Sequence, residues 1–254
     1  MARLTDSSPD AETTAGLVRE AATDLTGQIV AYFRSEQTPI NESIFVPLLI
    51  IARIIRTHDA IQLLLKHAHV SEAAVLTLTQ FELRLDLAYT AHEPSHATEW
   101  AAHENMRWSV AQKMETKIKG LFSEHEDRKR LTEIFYYLSG IKHGNPLYSA
   151  LGFPARGNGL GLEISTGEIV DEFSEEFSRK IASYSKYQLA WSSQVLNVCT
   201  GQYAVVDTHL RHAIRDFYLK LVPDEEVFRQ YLAKLVTQNQ GPFGLKLWKR
   251  KGVG

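Results

Sequence analysis

Residues Arg56 to Tyr89 read RTHDAIQLLLKHAHVSEAAVLTLTQFELRLDLAY, and this stretch decides the fold. Ile61 and Leu65 before the central HAHV, and Ala73 and Leu76 after it, recur at the three-and-four spacing of an amphipathic helix. The break between the two patterns is too short to carry the chain away, so the helices must pack as an antiparallel pair. The first is expected over Glu42 to His69, with Asn41 as its N-cap and Pro47 near its first turns, where a missing N–H matters least. Ser71 is the expected cap of the second.

The same period extends outward in both directions. Asp10 to Ser35 carries Leu17, Ala21, Leu25, Ile29 and Phe33 at helical spacing, and Thr38-Pro-Ile-Asn41 ends it. Beyond Glu93-Pro-Ser95 a fourth helix runs through Trp100, Met106, Met114 and Ile118 toward Gly120. Ser123 and Glu126 have the spacing of a capping box and open a fifth, through Leu131, Ile134 and Leu138. Six glycines and two prolines then punctuate residues 144–167, where LGLEISTGEIV alternates weakly enough to suggest only a small β-hairpin. Ser174 to Thr200 and Tyr203 to Leu221 are helical again. Pro223-Asp224 is expected to stop that helix and cap a last one, ended by Gly241. The chain is therefore expected to be a single all-α domain over 1–254, a helical bundle of roughly eight helices. A glycine-rich insertion occupies 146–170, C-terminal helices follow over 171–241, and a basic tail over 242–254.

Composition narrows the function classes. The formal net charge is −2, so the overall field does not suit a protein that coats nucleic acid or anionic membrane. Local basic runs at Asp127–Arg130 and Lys246–Lys251 read most simply as a solvated helix face and a terminus. The single cysteine, Cys199, permits no intramolecular disulfide and no cysteine-built metal site. The N-terminus has no apolar core of a leader, and the longest apolar run, near Ile44 to Ala52, is too short to span a bilayer. A cytoplasmic protein with no membrane association is expected.

Few residue sets carry chemistry. His209 and His212 share a helix face near Asp207 and Asp216, but HExxH, paired ExxH and cysteine pairs are absent, so neither a metal nor a cofactor is expected. There is no nucleophile elbow and no P-loop. Glu82 and Asp86 lie one turn apart with Arg84 between them. If their face turns inward they need cations, and Arg53 and Arg56 on the preceding helix are the natural partners. Glu82, Asp86, Arg84 and His58 would then form a polar pocket inside the bundle; the other reading is an inter-helix ion-pair network near the surface. His58 stands five residues after Arg53.

Ser139-Gly-Ile-Lys-His-Gly-Asn145 closes the fifth helix. His143 there complements the helix dipole, Gly144 suits a left-handed C-terminal position, and Pro146 prevents continuation. Gly140 is not needed by such an ending.

Ala60, Ile61, Leu64, Glu72, Ala73, Leu76 and Glu82, followed later by Ser139 and His143, resemble the pattern of a widespread, largely bacterial family known as a domain of unknown function. That family is itself similar to the HEPN superfamily of helical bundles. The resemblance covers about residues 53–145, making 42–145 a HEPN-like core. Where the pattern usually has an arginine ahead of the glutamate, this chain has Thr79 or nearby polar residues. The resemblance implies a homodimer and a metal-independent ribonuclease of toxin–antitoxin or phage-defence type, with RNA or a partner protein as its counterpart. It implies His143 as general acid or base, Ser139 or Asn145 orienting it, and Arg53 or Arg56 on phosphate. The Arg-x4–6-His spacing of that superfamily is met here by Arg53 and His58, on a different helix from His143. The alternative is a non-catalytic ligand-binding or protein-interaction helical module.

Overall fold

The antiparallel hairpin forms as the sequence requires. In a computed structural model, which describes residues 10–37, 40–102, 114–142, 172–201 and 206–238, α2 (Glu42–Lys66) and α3 (Val70–His92) pack along each other's length. Asn41 caps α2 by accepting the Ile44 N–H at 3.2 Å. The helix ends at Lys66 rather than His69, in a tight turn. The His69 N–H donates to Leu64 O at 2.9 Å and the Ala68 N–H to Leu65 O at 3.1 Å. That pair of bonds is a Schellman motif, and its left-handed residue is Ala68 at φ 58°, a place glycine usually takes. With the turn closed in this way α3 begins at Val70, so Ser71 lies inside its first turn instead of capping it.

α3 is the axis of the bundle. Phe81, Leu83, Arg84, Leu85 and Leu87 are all buried, while Glu82, Asp86 and Tyr89 form a half-buried stripe along the remaining face. A polar group on the buried arc needs partners inside the protein. Those partners come from α7 (Glu172–Cys199), which packs on both α2 and α3, and α8 (Thr208–Gln238), which packs on α7. α1 (Asp10–Ser35) lies against α7, α8 and α2. The short α4 (Pro94–Ala101) covers α2 and α3, and α5 (Met114–Leu121) lies on α3. α6 (His125–Lys142) packs through Leu131, Ile134, Leu138 and Ile141, against α3, α5 and α8.

The fold is an all-α helical bundle, with eight helices and no strand among the described residues. The hairpin considered for 146–170 lies outside them. The C-terminal end differs from expectation in one respect. Pro223 does not stop a helix; α8 runs straight through it. Proline removes one donor and crowds the carbonyl four residues back, that of Leu219. Both residues face solvent, with Leu219 58 % exposed, so water can take the freed carbonyl. The start of α8 is also later than Tyr203. Asp207 caps it by accepting the His209 N–H at 2.9 Å.

Candidate functional site

Among the described residues the largest fully buried side chain is that of Arg84. α7 presents Tyr184, Tyr187 and Trp191 at the i, i+3, i+7 spacing of a single helix face. Their ring centroids lie 5.8, 5.4 and 5.2 Å from the Arg84 guanidinium carbon, and that of Phe81, one turn back on α3, lies at 4.9 Å. Such an aromatic surround stabilises a desolvated cation by about 0.5–2 kcal/mol per ring. Glu225 of α8 completes it, with Oε1 2.5 Å from Arg84 Nη2. The second oxygen of Glu225 accepts from the Tyr187 hydroxyl at 3.3 Å and lies 3.2 Å from Arg130 Nε of α6. Burial works against the charge on Arg84, and the Glu225 carboxylate on its Nη2 opposes that, holding its pKa above the usual arginine range. Burial also pushes the Tyr184 and Tyr187 hydroxyls upward, so both stay neutral. Nε and Nη1 of Arg84 have no hydrogen-bond partner among the described residues.

A second polar cluster lies between α2, α3 and α7. His58, 2 % exposed, has Nδ1 2.8 Å from Ser185 Oγ, which donates to Gln80 Oε1 at 2.7 Å. An amide oxygen can only accept, so the one Ser185 hydroxyl proton goes to Gln80 and the His58 Nδ1–H donates to Ser185. Gln80 returns Nε2 to Ser185 O at 3.3 Å. Burial, which Lys186 and Arg19 reinforce and Asp59 opposes, lowers the His58 pKa to about 4. It is a neutral histidine at neutral pH.

Next to the Arg84 surround lies an open cavity of about 420 Å³. α3 supplies Ala88, Ala91 and His92 to its wall, and α5 supplies Leu121. Trp191, Gln194, Val195, Val198 and Cys199 of α7 and Tyr218 of α8 form the rest. Trp191 therefore touches the cavity on the one hand and Arg84 on the other, while Arg84 is not itself part of the wall. Burial pushes the Cys199 thiol up to about 11, so it is no nucleophile at neutral pH.

The residues singled out in the sequence fall in separate places. Arg53 and Arg56 are exposed on α2. Arg53 does not converge with buried His58, because five residues turn a helix by roughly 140°. Ser139 is half-buried on α6, which packs on α3, α5 and α8 rather than on α2; His143 and Asn145 lie outside the described residues. Asp86 is paired with Lys117 of α5, not with Arg53 or Arg56, and Glu82 is half-buried. The side chain that turns inward is Arg84, and its carboxylate comes from α8. His209 and His212 are exposed and Asp207 is the cap of α8. Among the described residues no three His, Cys, Asp or Glu side chains group as metal ligands. Also among them, no helix is long and apolar enough to cross a membrane.

Fold and site together define an all-α bundle built around a buried, aromatically enclosed arginine, with an open apolar cavity beside it. No protein family, curated protein or solved structure matches the chain.

Proposed function

We propose that this chain is a non-catalytic helical binding module whose site is the cavity over Trp191. What supports the reading is the cavity itself. Its volume of about 420 Å³ falls in the range of small-ligand sites, and its walls come from four helices, not from loops. Rigid elements hold a site's shape better than loops do. Two interior clusters, by contrast, are engaged within themselves: Glu225 with Arg84, Tyr187 and Arg130, and His58 with Ser185 and Gln80. Neither presents a nucleophile–base pair to the cavity, whose lining includes none of these residues.

The ribonuclease reading draws less from the geometry, since Arg53 and Arg56 are exposed on α2 while Ser139 is half-buried on α6, which packs on α3, α5 and α8. The test is titration with the neutral fluorescent probe N-phenyl-1-naphthylamine, beside incubation with total RNA. Saturable probe binding that is lost in a folded Ala91→Phe variant, with RNA left intact, is the expected result. Metal-independent RNA cleavage by the wild type that His143→Ala abolishes would replace this reading with the ribonuclease one.

A further inference from the structure

The walls of the cavity also specify what it takes. Resting on the binding-module reading, we infer that the ligand is an uncharged, largely flat apolar molecule that presents a hydrogen-bond acceptor, such as a carbonyl, to Gln194 and Tyr218. Three observations lead there. The first is charge. No Lys, Arg, Asp or Glu is among the lining residues, and the one imidazole, His92, is exposed at the C-terminal end of α3, so the wall holds no fixed counter-charge for an ionised ligand. Arg84 does not supply one: it is fully buried, it is not in the wall, and Glu225 already lies on its Nη2.

The second observation is shape. The wall combines two aromatic side chains, Trp191 and Tyr218, with the small Ala88 and Ala91. Ring surfaces offer flat area on which a planar ligand can stack, and alanine methyls leave it room.

The third is hydrogen bonding. Gln194 Oε1 already accepts from Asn197 Nδ2 at 3.1 Å, and its own Nε2 donates to no described residue. The Tyr218 hydroxyl makes no hydrogen bond to any described residue, and burial raises its pKa, so it keeps its proton. Both lining groups therefore offer donors. A ligand that brings an acceptor satisfies them, whereas one without leaves them unpaired.

The test uses one ring system with four substituents: 2-acetonaphthone, naphthalene, naphthalene-2-carboxylate and 2-(aminomethyl)naphthalene as its ammonium ion. Dissociation constants are read by quenching of tryptophan fluorescence. 2-Acetonaphthone should bind about tenfold more tightly than naphthalene and tighter still than either ion. Tyr218→Phe and Gln194→Leu should each weaken 2-acetonaphthone several-fold relative to naphthalene, whose continued binding shows that the variants keep the folded cavity. Tighter binding of the carboxylate or the ammonium ion overturns the inference, and so does equal binding of naphthalene and 2-acetonaphthone in wild type and both variants. If none of the four binds, the binding-module reading fails with it, a result distinct from the other two.

Discussion

His58 makes the stability of this protein sensitive to acid in a defined window. It is 2 % exposed and its pKa is lowered from 6.5 to about 4, chiefly because burial disfavours the imidazolium. Between these two values the unfolded chain carries a proton at this position and the folded one does not. The unfolded state then binds more protons, so stability rises with pH across the window and is fully present above 6.5. As pH falls through the window, about 3 kcal/mol is lost, at 1.36 kcal/mol per unit. Other groups titrate there too, so the measurement is a difference. Urea unfolding of wild type and His58→Asn, whose amide nitrogen can replace the Nδ1–H donor to Ser185, is followed from about pH 7 to pH 4. At neutral pH the wild type should be the more stable, because asparagine leaves space. Its advantage should shrink by about 3 kcal/mol toward pH 4. A difference that stays flat across the window would refute the assignment of His58 as a buried neutral group.

Other outcomes follow from the same residues. Glu225→Gln should cost about 3–5 kcal/mol in urea unfolding, since it leaves a fully buried guanidinium without a carboxylate. Arg84→Met should cost less, because Glu225 keeps Arg130 and Tyr187; the reverse order would contradict the geometry. Ala68→Gly should raise stability by about 0.5–1 kcal/mol by relieving the left-handed backbone at φ 58°, and an unchanged or lower melting temperature would argue against that turn. The only thiol, Cys199, should react with a thiol reagent at neutral pH about a hundredfold or more slower than a free cysteine, with the rate climbing toward its pKa of about 11. Rapid labelling of folded protein would count against its burial.

The hairpin was legible because its two patterns are long and the HAHV break leaves no alternative to a tight reversal. Asn41 was legible as a cap for the local reason that caps are side-chain chemistry. Pro223 misled: followed by Asp224 it has the residues of a helix stop and a new cap. Only its exposure beside Leu219 lets α8 continue, and exposure is a tertiary property. In the sequence Arg84 stands between two carboxylates, whereas its partner Glu225 is 141 residues away, just beyond the expected helix stop at Pro223. The alternation of ELRLDL hides that Leu83, Arg84 and Leu85 are buried in succession, which takes the arginine inside. One signal was available and went unused, the helical spacing of Tyr184, Tyr187 and Trp191. The cavity itself has no counterpart in the sequence, because its wall is assembled from four helices that are distant along the chain.

The central claim is that a ligand enters over Trp191, and fluorine NMR locates this directly. The chain has four tryptophans. Labelled with 5-fluorotryptophan, and with the Trp191 signal assigned through Trp191→Phe, the protein is titrated with 2-acetonaphthone. A saturable shift of the Trp191 resonance, abolished in Ala91→Phe, is the predicted result. A Trp191 resonance that stays fixed while ligand binds, or while another tryptophan responds, would contradict the account.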